Sequence, residues 1–252
     1  MERTPDLPAN FPLIALGDVG STNDEARRLA AEGAPDGTVV WARSQNAGRG
    51  RYGRSWSSPP GNLYVSLLLR PACPPATALQ LGFVAAVALG EALDRRVAAA
   101  ALTFKWPNDV LLDGRKIAGI LLESATGAGG ALDWLIIGLG VNLQSFPAGT
   151  AFPATSLAND GYPVPAPADV LADVVAAFAG WRARWAADGF GPVRQAWLGR
   201  AYRRGQAIEV RLERERTTGV FAGLDDSGAL MLDPAGGPRR LVSFGEVFPA
   251  SA

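Results

Sequence analysis

The sequence predicts an α+β fold in two parts: a domain of interleaved strands and helices over residues 1–198, and a small all-β module over 199–252. Three features carry that expectation. Between Leu102 and Val141, short apolar segments are divided by turn pairs, which is the mark of adjacent strands. Leu171, Val174, Phe178, Trp181 and Trp185 recur at alternating spacings of three and four, as one helix face packed on a core does. From about Gly199 the pattern changes to alternation around turns at Asp225–Gly228 and Pro234–Pro238, with Ile208, Val210, Leu212, Val220, Leu224, Leu230 and Leu232 as the apolar positions.

In chain order, Phe11 to Leu16 reads as a short strand. A helix opens at Ser21-Thr22-Asn23-Asp24-Glu25, where Thr22 and Glu25 have capping-box spacing. Thr38 to Ala42 is a β-branched strand, and Ser44 to Asn62 is a long Gly/Ser/Arg-rich loop. Leu63 to Leu69 is a strand and Ala76 to Leu93 has helical composition. Leu102 to Lys105, Val110 to Leu112, Lys116 to Leu122 and Trp134 to Val141 are further strands, with Asp113-Gly114 as a hairpin signal. Trp181 and Trp185 are expected to be packing residues.

Composition narrows the chemistry. With 252 residues, 48% hydrophobic and 19% charged, the chain has the balance of a globular protein with a sizeable core. Lys+Arg and Asp+Glu are both 24, so no global charge draws it to nucleic acid or an anionic membrane, and any anion site must be local. The lone Cys73 cannot form an internal disulfide. Histidine is absent, which excludes Ser-His-Asp and Cys-His catalysis and His-ligated metals. Met1 to Asn10 lacks an apolar signal core, and Leu79 to Leu93 is too short and too interrupted to span a bilayer, so a cytoplasmic location without membrane association is expected.

Gly48-Arg-Gly-Arg-Tyr-Gly53 matches G-x-G-x-x-G, but the dinucleotide fingerprint also needs a following helix and an acidic residue about twenty positions on. Arg54-Ser-Trp-Ser-Ser-Pro-Pro-Gly61 cannot be that helix, and no Asp or Glu occurs from Gly37 to Gly90. What remains is a pliable loop bearing Arg49, Arg51 and Arg54, suited to closing over phosphate or carboxylate. A solvated loop and an RNA-binding Arg-Gly segment with Tyr52 and Trp56 are the alternatives. Lys105-Trp-Pro-Asn-Asp109 and Gly114-Arg-Lys-Ile-Ala-Gly119 put two lysines around one hairpin, where a Lys105–Asp109 ion pair would be the plain structural explanation.

Taken in order, Ser21-Thr22-Asn23, Gln45 to Trp56, Lys105 to Asp109, Gly114 to Gly119 and Gly138-Leu-Gly-Val-Asn142 resemble the successive signatures of the biotin protein ligases. Ala154-Thr-Ser-Leu157 and Phe244-Gly-Glu-Val247 are similar to later motifs, so the likeness covers most of residues 13 to 248. It implies a mixed sheet flanked by helices, related to class II aminoacyl-tRNA synthetases, and a C-terminal SH3-like barrel. It also implies the synthesis of biotinyl-5′-AMP from biotin and MgATP, then transfer of biotin to a lysine on the biotin carboxyl carrier domain of a carboxylase.

By that resemblance, Ser21, Thr22, Asn23, Gln45, Gly48, Arg49, Gly50, Arg51, Lys116, Gly119 and Gly138 are expected around biotin. Arg51, Arg54, Trp56, Lys105, Asn108, Lys116 and Asn142 are expected around the nucleotide. Lys116, Arg49, Arg51 and Asp109 are the candidate catalytic residues, because a carboxylate attacking an anionic phosphate needs fixed positive charge. Asp109 is a candidate for holding Mg²⁺, for taking a proton from the acceptor lysine, or for a structural ion pair. Because the motifs begin at Ser21, no DNA-binding domain or repressor activity is expected; the residues leave homodimerisation open. Tyr52 replaces a basic residue found in many relatives, and Phe244 interrupts the tail motif. A lipoate or octanoate ligase of the same scaffold, and a nucleic-acid-binding module using the Arg/Gly loop, are the competing functions.

Overall fold

β-Branched and apolar runs supply the strands of the larger domain, and their cross-strand register decides what shares a face. A computed structural model describes residues 4–98, 101–212 and 215–250, so the first three residues of the N-terminal segment and the last two of the C-terminal module lie outside it. The large sheet is built from β1 (Leu13–Val19), β2 (Thr38–Gln45), β3 (Leu63–Leu69), β4 (Leu102–Lys105), β5 (Asp109–Leu112), β6 (Arg115–Thr126) and β7 (Leu132–Val141). Their order is β1-β2-β3-β7-β6-β5-β4, and β1–β2 is parallel while the other pairings are antiparallel, giving a mixed sheet. Asp113 and Gly114 turn the β5–β6 hairpin with φ of 47° and 75°, as a tight primed turn requires.

Both faces of β3 are buried. One face meets α1 (Thr22–Ala31), whose Ala26 and Ala30 pack on Val40, Leu68 and Ile136. The other carries the main core with α3 (Leu81–Asp94) and α4 (Pro167–Asp188), preceded by the short α2 (Pro75–Ala78). α3 is long and apolar enough, together with α2, to resemble a membrane span, yet its side chains are core residues. Trp181 and Trp185 pack against this core and donate their indole N–H groups to Glu91 and Gln80, at 2.7 and 2.9 Å.

Two local expectations are corrected. Ser21, not Thr22, is the N-cap of α1, and it makes no side-chain capping bond. The Thr22–Glu25 box does not form, because the Thr22 N–H and hydroxyl both reach Gln45 Oε1 at 2.8 and 3.1 Å. A tertiary acceptor has replaced the local one. A further helix, α5 (Phe190–Leu198), follows α4 after a break at Gly189 with φ of 72°. Pro192 sits in its first turn, where its missing N–H costs nothing.

The C-terminal strands β8 (Ala207–Arg211), β9 (Arg216–Leu224), β10 (Leu230–Asp233), β11 (Arg240–Val242) and β12 (Glu246–Pro249) form an antiparallel sheet in the order β11-β10-β9-β8-β12. Trp197 of α5 fastens this SH3-like module to the larger domain. Its buried ring lies 5.6 Å from Phe83 of α3, 6.1 Å from Phe104 of β4 and 6.5 Å from Phe221 of β9, between centroids.

Asn62, just before β3, holds the segment leaving β7. Its Oδ1 accepts from the N–H groups of Leu143, Gln144 and Ser145 at 2.8–3.1 Å, and Nδ2 donates to the Ser145 carbonyl at 2.9 Å. Asn62→Ala strands the buried Leu143 N–H and frees its less buried neighbours to water, so denaturant melts should show a loss of about 1–3 kcal/mol. Tyr64 offers a pH test. Burial pushes its hydroxyl up to about 12 while it donates to the Pro59 carbonyl at 2.8 Å. Since the unfolded group ionises near ~10, the linked stability is complete below that pH and is lost as pH rises through about 12. Stability–pH curves for Tyr64→Phe should therefore fall less steeply over that interval.

Candidate active site

One rung of the sheet assembles the floor of the principal cleft. Tyr64 pairs with Gly140, Gly140 with Gly119, Gly119 with Asp109 and Asp109 with Lys105, so these residues share a face. The next rung on that face pairs Ser66 with Gly138. Above them lies a cleft of about 360 Å³ between the sheet, the start of α1, the Gly/Arg loop, the segment after β7 and the end of β12. Every residue singled out from the sequence lines it except Gly48.

The glycines of the floor have no room for side chains. A Cβ on Gly140 would come within 2.4 Å of Trp56 Nε1, and one on Gly119 within 3.1 Å of the same ring. A Cβ on Gly138 would lie 2.4 Å from Asn23 Oδ1. Gly48 serves the loop instead: a Cβ there would meet the Trp56 carbonyl at 2.6 Å and Ser58 Oγ at 2.7 Å. The loop is thereby cinched on itself, with a 3₁₀ turn at Arg51–Gly53 in which Tyr52 takes a left-handed φ of 57°.

At the α1 end the groups are polar and neutral. Gln45 Oε1 receives Thr22, and Gln45 Nε2 donates to Ser58 Oγ at 2.9 Å. Ser66 Oγ lies 2.6 Å from Asn23 Oδ1 and 2.8 Å from Thr22 Oγ1. Asn23 Nδ2 donates to Glu123 at 2.8 Å. Ser21 is buried beside them.

At the other end the site is cationic. Asp109 sits between two ammonium groups: Lys105 Nζ donates to Oδ2 at 2.8 Å, and Lys116 Nζ stands 2.6 Å from Oδ1 as an ion pair outside good hydrogen-bond alignment. Burial alone would raise the Asp109 carboxyl, but the two lysines outweigh it and hold it below the ordinary carboxylate range. Burial pulls Lys105 below the ordinary lysine range despite Asp109, with Lys116 and Arg51 adding repulsion. Lys105 also faces the Phe152 ring at 4.6 Å, and Lys116 the Trp56 ring at 5.2 Å.

The three loop arginines have different surroundings. Arg49 makes a bidentate pair with Asp24 at 2.6 and 2.7 Å and lies 3.6 Å from Glu123, so its guanidinium is already neutralised. Arg54 pairs with Glu246 of the C-terminal module. Arg51 contacts neutral groups, donating to the Gly245 carbonyl at 3.1 Å, Tyr52 Oη at 3.0 Å and, at 3.4 Å, Asn108 Oδ1. Burial lowers its proton affinity, the sign of a cation short of counter-charge. Asn108 Nδ2 donates to the Ile120 carbonyl at 2.8 Å, fixing its oxygen toward Arg51. Asn142 Nδ2 donates to the Thr155 carbonyl at 3.0 Å, whereas its buried Oδ1 and Trp56 Nε1 make no hydrogen bond among the described residues.

Sequence reasoning missed several participants. Phe152, Glu246 and Phe248 line the cleft, and Ser66, Asp24 and Glu123 stand behind the lining as partners of its residues. Glu246 belongs to the tail motif, but no local pattern links it to Arg54, nearly two hundred residues away. Asp109 shows little room for a metal: both oxygens face ammonium groups, and no cluster of three or more acidic or Cys side chains suited to a metal occurs among the described residues.

Comparison with known proteins agrees with this architecture. Residues 19–142 match the biotin/lipoate A/B protein ligase family, and residues 205–248 match the biotin protein ligase C-terminal domain. The chain is 45% identical over 241 residues to a biotin–[acetyl-CoA-carboxylase] ligase of Paracoccus denitrificans, covering 92% of this chain and 98% of that one. The biotin protein ligase of Aquifex aeolicus, solved with biotin and ATP, superposes with a TM-score of 0.79 at 28% identity, covering 94% and 97% of the two chains. The Leishmania major enzyme with biotinyl-5-AMP gives 0.65 at 27% identity, covering 94% and 100%. On sequence, on both of its sheets and on the ordered motifs around one cleft, the chain belongs to the biotin protein ligase family.

Proposed function

We infer that this chain is an ATP-dependent ligase that makes biotinyl-5′-AMP and transfers biotin to a lysine of a biotin carboxyl carrier domain. The observation that carries this reading is a single cleft joining a neutral hydrogen-bonding end to a cationic end across a glycine floor. Biotin has a ureido ring at one end and a carboxylate at the other. A neutral donor–acceptor set suits the ring, and a fixed positive field suits the carboxylate.

In the first half-reaction a biotin carboxylate oxygen attacks the α-phosphorus of ATP, and the bond to the β-phosphate breaks to release pyrophosphate. Both reactants are anions. Lys116 and Arg51 hold positive charge where they meet, without needing to move or be recharged. Lys105, being more deeply buried and bound to Asp109, positions that carboxylate and reinforces the field. Trp56, whose indole N–H is turned onto the Gly140 backbone, offers its ring face to the nucleotide base, with Asn142 also in the lining. Arg49 acts chiefly through Asp24, and Arg54 through Glu246, in holding the loop down. Gly50 keeps the loop backbone close to the cleft, with its N–H on the Arg54 carbonyl at 2.7 Å.

In the second half-reaction the acceptor lysine, as its neutral amine, attacks the biotinyl carbonyl; the acyl–oxygen bond breaks, AMP leaves and the extra proton on nitrogen passes to solvent. Asp109 is too acidic a carboxylate, and too fully engaged, to serve well as the base for that amine. Its surroundings do not fit a magnesium ligand either. The same cleft argues against the lipoate reading, because an apolar dithiolane would leave the second Gln45 N–H without an acceptor. It argues against nucleic-acid binding too, because the loop cations face inward and the chain has no net charge. A cytoplasmic location follows from those substrates. We place the domain division at 1–198 and 199–252, supported by the end of α5 at Leu198 and the start of β8 at Ala207.

Pyrophosphate release that requires biotin, ATP and magnesium together, followed by transfer to a carrier domain detected by streptavidin, tests the reading; release with lipoate at equal efficiency would refute it. Lys116→Ala should slow biotinyl-AMP formation by roughly 10²- to 10³-fold. Single-turnover rates with saturating biotin and ATP provide the check.

A further inference from the structure

Behind the neutral end of the cleft runs a chain of hydrogen bonds that finishes on a carboxylate. Glu123 Oε2 accepts from Asn23 Nδ2 at 2.8 Å, and a carboxylate can only accept, so the Asn23 amide cannot be turned over. Asn23 Oδ1 therefore faces Ser66 Oγ at 2.6 Å, which commits the one Ser66 hydrogen to that bond. Ser66 then has no hydrogen left for Thr22 Oγ1 at 2.8 Å, so the Thr22 hydrogen goes either to Ser66 Oγ or to Gln45 Oε1 at 3.1 Å. Either way the Thr22 hydrogen is used within the protein, and its hydroxyl meets the cleft as an acceptor. Gln45 is fixed from the opposite side, because its Oε1 takes the Thr22 backbone N–H and its Nε2 turns to Ser58, leaving a second N–H to donate.

We propose that Glu123 and Ser66, which do not line the cleft, are positioning residues that set the hydrogen-bond polarity of the ureido site. Through Asn23 they force Thr22 to accept and so select a ring N–H there, next to a carbonyl oxygen for Gln45. The inference rests on the biotin reading above and adds residues that determine its selectivity. Buried polar sites discriminate in this way because a mismatched ligand leaves desolvated groups unpaired.

The test is a double-mutant cycle read as biotin KM, ATP KM and kcat for biotinyl-AMP formation, with circular dichroism melts to confirm folding. Glu123→Met removes the acceptor and Ser66→Ala breaks the relay; each should raise biotin KM by roughly 10- to 30-fold with ATP KM and kcat little changed. The double variant should resemble either single one, since the chain is broken once. Glu123→Gln keeps an oxygen acceptor while losing the charge that faces Arg27 and Arg49, and should recover most of the lost biotin affinity. Biotin KM within threefold of the parent in both single variants overturns the proposal, as does strict multiplication of their effects or a Gln variant no better than Met. A parent protein that makes no biotinyl-AMP overturns the ligase reading and this inference with it.

Discussion

A carboxylate buried between two ammonium groups is the interaction around which the cleft is organised. Asp109, Lys105 and Lys116 would each be costly to bury alone, and together they carry one net positive charge into a site walled by Phe152, Phe248 and Trp56. Register brings them together: Lys105 opposes Asp109 across β4–β5, and a shift in the β5–β6 pairing between Val110 and Leu111 accompanies the return of Lys116 toward the same carboxylate. The C-terminal module completes the enclosure, with Phe248 5.8 Å from Lys105 and the Gly245 carbonyl on Arg51.

The floor follows from the same rungs. Gly119 and Gly140 face each other on β6 and β7, and their missing side chains admit Trp56 against the sheet. Gly138 makes the equivalent space for Asn23. A biotin-sized ligand thus meets the Trp56 ring seated on the glycine floor, with neutral polar groups at one end of the cleft and cations at the other. A side chain at Gly119 or Gly140 would push Trp56 off the sheet, and one at Gly138 would displace Asn23.

Much of this was legible because it is local. The Asp113-Gly114 turn, the three-and-four spacing along α4 and the ordered motifs each carry their own physical signature within a few residues. The Thr22–Glu25 capping box failed for the opposite reason: a distant acceptor, Gln45, outcompeted the local one. α5 was missed because nine residues with an early glycine and proline show too little periodicity to stand out. All three arginines of the Arg/Gly loop were expected to face an anionic ligand, yet only Arg51 lacks a carboxylate partner among the described residues, since Asp24 and Glu246 lie outside the loop. Glu123 and Ser66 were invisible because nothing in their own segments distinguishes them from strand residues.

Asp109 holds the two lysines in place as their shared counter-ion. Asp109→Asn keeps its shape and removes its charge, so the direct measurement is single-turnover biotinyl-AMP formation alongside the melting temperature of that variant. A shared counter-ion requires a slower reaction in the variant, by about 10²-fold or more, together with a loss of stability of about 3 kcal/mol or more from two stranded cations. A variant that melts and adenylates like the parent would contradict it.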